Sequence, residues 1–295
     1  MANLKEIQRQ IKSVSNTQKT TRAMKLVSTA KLRRAEELAK RSRLFAEKTN
    51  QVMAEIAGRI DCSKIGGLDN RCFLQNDAPQ MVDVIFVTAD KGLCGGFNMQ
   101  TIKAVKKLMA DFKNKKVKVR LRGIGKKGIE FFNYNEIEML DEVKNLSSSP
   151  DMAKSSEFMT KSINDFKAGK IDGVYIVHNG YKNVITQELH INRVLPVDIS
   201  DFDCGGSKNS VLELESENEE SMLESLITKY AEYNMYYALI DSVAAEHSAR
   251  MQAMDAATNN AKEMVGALTV KFNKARQEAI TTELIEIISG VESMK

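Results

Sequence analysis

Apolar residues recur at alternating spacings of three and four through the last third of the chain: Leu223, Leu226, Tyr230, Tyr233, Tyr237, Ile240, Ala244, His247, Met251, Met254, Thr258, Ala261, Val265, Leu268, Phe272, Ala275 and Ala279. Only His247 and Thr258 are neither apolar nor aromatic, and a repeat held this long predicts a left-handed coiled-coil seam on one continuous helix. Ser216-Glu217-Asn218-Glu219 has the S-x-x-E form of a capping box and marks its start. Just before it, Leu212-Glu213-Leu214-Glu215 alternates as an edge strand does. The amino-terminal segment opens with the same spacing (Leu4, Ile7, Ile11, Val14) and closes with it (Met53, Ile56, Ile60). Between them the seam passes into Thr17, Gln18, Thr20, Thr21, Lys25 and Ser28, which predicts that part of this helix faces something other than a partner helix.

Helix breakers divide the chain in the same way. Residues 1–57 hold no Gly or Pro, residues 207–289 hold only Gly266, and Pro79, Pro150 and Pro196 all lie between. Uninterrupted helices over 3–57 and 217–289 would be roughly 80 and 110 Å long, too long for a compact domain, so they are expected to pair antiparallel. The middle alternates strand and helix. Strands are predicted at Val82–Thr88, Val117–Arg122, Glu136–Leu140, Gly173–Val177 and Thr186–Val194, and helices at Thr101–Phe112, from Lys126 and over Asp151–Phe166. This β-α-β order predicts a doubly wound, mostly parallel sheet. The expected fold is α/β: an antiparallel coiled coil of the terminal helices (1–60 and 209–295) with an inserted Rossmann-like α/β domain (61–208).

Charge sharpens this division. The net charge of +4 splits into +9 over residues 1–60, +3 over 61–208 and −8 over 209–295, so the basic first helix can attract the acidic last one or seek an external anion. With 43% hydrophobic and 28% charged residues the chain is expected to be globular, and no uncharged apolar stretch approaches the roughly 20 residues of a membrane span. The amino terminus lacks the apolar core of a targeting peptide. Cys62, Cys72, Cys94 and Cys204 fit neither a zinc pattern nor a CxxC pair, and His178, His190 and His247 form no HExxH motif, so free thiols and no metal are expected.

Three motifs invite chemistry. Gly123-Ile-Gly125-Lys-Lys-Gly128 matches G-x-G-x-x-G between a strand and a helix. It sits on the second βα unit, however, and the region about 20 residues on (Leu146–Ser148) offers no acidic residue for a ribose, so a plain tight turn with Lys126 and Lys127 solvated is preferred to dinucleotide binding. Gly92-Leu-Cys-Gly95-Gly96-Phe-Asn98 lacks the ending of a phosphate loop, and Cys94 has no His beside it as a base. A turn whose backbone groups are satisfied by Asp90 or Asn98 explains it better. The basic face Arg9, Lys12, Lys19, Arg22, Lys25, Lys31, Arg33, Arg34 could lie along DNA, but a basic zipper places such a block directly upstream of its coiled coil, and here an α/β domain intervenes.

Three further blocks carry a resemblance: Ile11-Lys-Ser-Val-Ser-Asn-Thr-Gln-Lys-Thr-Thr-Arg-Ala-Met-Lys-Leu-Val27 with Lys31-Leu32; Lys91-Gly-Leu-Cys-Gly-Gly-Phe-Asn98; and Glu246, Arg250-Met251, Ala253 to Ala261, Phe272 to Leu284 and Ile287-Ile288-Ser289-Gly290. Over nearly its whole length the chain resembles the γ subunits of F-type ATP synthases, the central rotor shaft. It departs from their usual pattern in Ala245, where a Ser commonly precedes the Glu, and in Leu212-Glu-Leu-Glu-Ser216 before the last helix.

The resemblance implies a shaft of the two end helices inside a ring of three α and three β subunits, with the ε subunit and a membrane c ring as further partners, at the cytoplasmic face of the bacterial inner membrane. It implies no cofactor, no direct nucleotide binding and no bond chemistry by this chain. It further implies that side chains around Met24 and Lys25 face the catalytic ring, and that Arg250, Gln277, Thr281 and Glu283 engage it. A Rossmann-type oxidoreductase would instead be stabilised by its cofactor, a DNA-binding coiled coil would bind duplex with strong salt dependence, and a rotor shaft would co-purify with α and β subunits.

Overall fold

The computed structural model describes the backbone of residues 4–59, 79–197 and 219–294. In chain order the elements are α1 (Leu4–Arg59), β1 (Met81–Val87), α2 (Phe97–Asn114), β2 (Lys118–Ile124), α3 (Lys126–Tyr134), β3 (Met139–Val143), α4 (Met152–Lys167), β4 (Gly173–Tyr181), β5 (Gln187–Leu195) and α5 (Glu219–Glu292). The expected domain boundaries near 60 and 208, the alternating segment Leu212–Glu215, the first three residues of the capping box, and Cys62, Cys72 and Cys204 lie outside the described residues. Two compact units emerge, Met1–Thr29 with Arg250–Lys295, and Ala30–Ala249; both long helices contribute to each.

In the larger unit the strand order is β3-β2-β1-β4-β5, all parallel except β5, which returns antiparallel to β4. β1 is buried on both faces, which is why it reads as a nearly continuous apolar run rather than an alternating one. Val82, Val84 and Phe86 face Ile102, Val105 and Phe112 of α2 and Ile129 and Phe132 of α3. Ile85 and Val87 face Phe158, Met159 and Ile163 of α4 together with Ile227, Ala231, Met235 and Leu239 of α5. The last helix therefore serves as a cover for the sheet as well as a coiled-coil strand, and this stretch buries polar residues such as Glu232, Asp241 and Glu246 beside its apolar ones. Within the same unit it also meets α1: the Tyr233 hydroxyl donates to the Ser42 carbonyl at 2.7 Å, and the Phe45 and Tyr233 rings stand 4.5 Å apart.

A polar network hides inside the sheet. Asp83, fully buried in β1, accepts from Arg120 Nε at 2.6 Å, Arg120 Nη2 at 3.0 Å and Ser162 Oγ at 2.6 Å. Arg122 donates to Ser162 Oγ, to Asp141 and to the Phe158 carbonyl, so the charges taken out of water are paired.

One strand lies further along than expected. The third strand runs Met139–Val143, not from Glu136, because the chain is still closing α3 there: the Glu136 amide donates back to the Asn133 carbonyl and Glu136 has φ of 55°. Asp151 caps α4 by accepting from the Lys154 amide at 2.9 Å, just after Pro150.

In the smaller unit α1 and α5 run antiparallel, Thr21 meeting Thr258 and Lys25 meeting Asp255. The burial pattern of α1 follows an unbroken 3,4 spacing: Leu4, Ile7, Ile11, Val14, Gln18, Thr21, Lys25 and Ser28 are all buried or half-buried. Of the polar stretch, Gln18, Thr21, Lys25 and Ser28 stay on the seam, with polar partners from α5 at Thr21 and Lys25, whereas Thr17 and Thr20 are exposed and donate to the Ser13 and Asn16 carbonyls of their own helix. On α5 the half-buried residues beyond Ala261 are Val265, Leu268, Phe272, Ala275 and Ala279, the 3,4 stripe itself.

Candidate functional site

The two glycine-rich turns come first, since they carried the chemical candidates. Asp90, just after β1, accepts from the amides of Lys126 (3.0 Å), Asn145 (2.9 Å) and Ser148 (3.2 Å), and from the hydroxyls of Ser147 (2.8 Å) and Ser148 (2.7 Å). Burial pushes its carboxyl up, but the donors from Asn145, Ser148, Ser147 and Lys126 together outweigh it and hold the group below the ordinary carboxylate range. Asn98 accepts from the Ala89 amide at 2.9 Å and donates to Cys94 Sγ at 3.3 Å. Asn98 satisfies its own loop, as the turn reading predicts, whereas Asp90 reaches out to tie the turn after β2 and the loop after β3 to the end of β1. At Gly125, with φ of 99°, and at Gly128, the space a side chain would need is taken by Thr88 and Phe86, so these glycines exist to seat α3 on β1. Ala245, where the resemblance leads one to expect Ser, packs in an apolar cluster with Ala89, Cys94, Phe97 and Ala249. Among the described residues no group of three or more His, Cys, Asp or Glu could hold a metal ion, and no helix is long and apolar enough to cross a membrane.

The six residues named from the resemblance fall in three environments. Lys25 ties to Asp255 at 2.6 Å across the helix pair, and Met24 beside it is half-buried. Arg250, which the resemblance assigns to the ring contact, is only 7% exposed: it lies one helical turn before Met254, itself 5% exposed, on the stripe that also carries Thr258 and Ala261. Its long stem can follow that apolar stripe, as arginine stems do. Gln277, Thr281 and Glu283 are exposed. Thr281 donates to the Gln277 carbonyl at 2.9 Å, and these two share a face, whereas Glu283, two residues on, points to another. Arg250 and Gln277 are about 40 Å apart along the helix. The structure therefore does not gather the six into one pocket; they mark an extended surface.

That surface has an apolar component absent from the six. Ile280, Leu284, Ile285, Ile287, Ile288 and Val291 are each at least half exposed, and on α1 so are Leu26 (64%) and Val27 (57%). Apolar residues at positions off the 3,4 seam are the sequence signal that identifies them. A continuous apolar patch on the end of a helix that has run past its partner marks an interaction site.

The comparisons agree with this geometry. The protein family described as ATP synthase matches residues 3–294. The chain is 73% identical to the ATP synthase gamma chain of Sulfurimonas denitrificans and 60% identical to that of Nitratiruptor, each over the full length of both chains. It is 58% identical to the gamma chain of Campylobacter jejuni, again over both full lengths. Two solved structures share the fold: a chain of the Euglena gracilis mitochondrial ATP synthase (TM-score 0.69, 18% identity, 99% of this chain and 94% of that one), and a chain of the Tetrahymena thermophila mitochondrial ATP synthase central stalk and c ring (TM-score 0.62, 23% identity, 81% and 99%). The chain belongs to the ATP synthase gamma-chain family.

Proposed function

We propose that this chain turns within a ring of three α and three β subunits, coupling proton flow to ATP synthesis or hydrolysis and regulating the ring's activity, while doing no bond chemistry itself. Its further partners are the ε subunit and the membrane c ring, and its place is peripheral, at the cytoplasmic face of the bacterial inner membrane. The observation that carries this reading is the exposed apolar end of α5, with Gln277 and Thr281 on one face and Glu283 on another. Such a surface is unfavourable in water and becomes favourable inside a collar of other subunits. Gln277, Thr281 and Glu283 meet the ring directly, and Met24 does so together with Leu26 and Val27. Lys25 and Arg250 act from within the helix pair, holding the contact surface in place.

The mechanism follows from asymmetry. A single helix pair presents a different surface to each β subunit. Rotation therefore changes which conformation of each is favoured, provided the surface binds those conformations with different affinity, because equal affinity would shift nothing. The test is co-expression with α and β subunits: the chain should co-purify with them, and truncation before Gln277 should sharply reduce ATP turnover and proton pumping of the purified complex. A ring that assembles without the chain, or a truncated complex that pumps as wild type, would refute the reading.

A further inference from the structure

On the seam between α1 and α5, apolar layers give way to a polar one. Thr21 Oγ1 and Thr258 Oγ1 are 2.7 Å apart, and one turn further along α1 the Lys25 ammonium lies 2.6 Å from Asp255 Oδ1. Each hydroxyl owns one proton. The Thr258 hydroxyl lies 2.6 Å from the Met254 carbonyl and the Thr21 hydroxyl 3.1 Å from the Gln18 carbonyl, so one of the two donates across the seam while the other donates to its own helix. Neither contact stabilises much. The ion pair is more than a third exposed at both ends, where solvent screens the attraction. Their energetic weight lies in the alternatives they exclude.

We infer that Thr21, Lys25, Asp255 and Thr258 form a register lock: positioning residues that fix how far α5 extends beyond the start of α1. A 3,4 seam repeats every seven residues, so sliding one helix past the other by a heptad, about 10 Å, superposes apolar positions on apolar positions again, and within this seam it is opposed by what breaks the repeat. Slid one way, Lys25 faces Lys262 and Thr21 faces Val265; slid the other way, Thr258 faces Val14 and Asp255 faces Gln18. Each slip either juxtaposes like charges or leaves polar groups against methyls without partners, which is how a seam specifies one register against another. Continuing the native one-to-one pairing brings Leu4 opposite Ala275, which agrees with the burial pattern: Ala275 is half-buried, and every residue from Ile280 to Met294 is exposed. The lock therefore sets where the unpaired end begins, and so the axial position of Gln277 and Thr281. The functional consequence rests on the rotor reading above, whereas the register itself does not.

The experiment uses the full chain in its assembled complex and two cysteine pairs. Val14→Cys with Val265→Cys reports the native register, and Val14→Cys with Phe272→Cys reports the heptad slip. With the native polar layer, oxidation should cross-link the first pair alone. When Thr21→Val, Lys25→Leu, Asp255→Leu and Thr258→Val are combined, both pairs should cross-link in comparable yield, as expected of registers close in free energy, and ATP-driven proton pumping should fall while the melting temperature does not. Lys25→Glu alone should impair pumping, and Lys25→Glu with Asp255→Lys should restore it together with the single cross-link. If the apolar layer still cross-links only the native pair, or the charge-swapped pair is no better than Lys25→Glu, the lock is disproved. A shifted cross-link with normal pumping would uphold the lock and count instead against the rotor reading.

Discussion

The Gly128 amide donates to the Thr88 hydroxyl across 2.9 Å, so the first turn of α3 rests directly on the end of β1. A Cβ at Gly128 would lie 2.5 Å from Phe86 Cε2 and 2.6 Å from Thr88 Oγ1. Phe86 cannot swing aside, because it is fully buried and its ring packs 4.9 Å from that of Phe132. Gly128→Ala is therefore expected to destabilise the chain by about 1–3 kcal/mol through overpacking. Thermal melting of the purified subunit checks this, and an unchanged melt would show that the turn has slack.

Asp90 gathers five donors from two separate segments, Lys126 and the loop Asn145–Ser148. In Asp90→Asn the new amide would face several of those donors with a donor of its own, at a cost of about 1–3 kcal/mol at neutral pH. Because the folded carboxyl titrates below its unfolded value, its contribution is present above the ordinary carboxylate range, near 3.9, and is lost as pH falls through the depressed folded value. The gap in urea midpoint between wild type and variant should stay constant from neutral pH to about pH 5 and narrow below about pH 4. A gap that widened on acidification would show that the carboxylate is not the stabilising form.

Arg250→Ala should lower the melting temperature of the isolated subunit, since a buried arginine takes both packing and polar partners with it. Gln277→Ala, at an exposed position, should leave the melt unchanged and reduce turnover only in the assembled complex. Equal melts for the two variants would mean that Arg250 reaches solvent in solution.

Deletion of Ile287–Lys295 and deletion from Gln277 onward should both leave the unfolding temperature of the isolated chain nearly unchanged, because the described residues beyond Ile280 bury little. In the complex the two should separate, with the longer deletion losing the greater part of ATP turnover. A marked drop in the melt of the shorter deletion would reveal packing at the helix end.

Most of the fold was legible because its periodicities are long. The 3,4 stripe from Tyr230 to Ala279 and the βαβ order around Val82–Val177 needed no tertiary information. In the polar stretch Thr17 to Ser28, the exposed Thr17 and Thr20 fit the reading of a face turned away, but the seam positions Thr21 and Lys25 do not, because a hydrophobic period registers only apolar side chains and partners such as Thr258 and Asp255, more than 200 residues away, cannot show in a local window. The same holds for Asp83 and Arg122, whose burial depends on Ser162 and Asp141. Glu136 was assigned to a strand because β-like residues follow it, whereas the backbone spends those positions closing α3. Of the residues proposed from the resemblance, Gln277, Thr281 and Glu283 lie exposed, whereas the buried state of Arg250 depends on which side of α5 carries Met254, a matter of packing.

The bare end of α5 bears on how such a chain is made in the cell. A ribosome releasing it ahead of its partners produces a protein whose last turns, Ile280 through Val291, suit the groove of a chaperone or the end of a second copy as well as they suit the intended collar. Synthesis in step with the ring subunits is then a solubility requirement, and the surplus chain, rather than the assembled one, is where aggregation and proteolysis should begin.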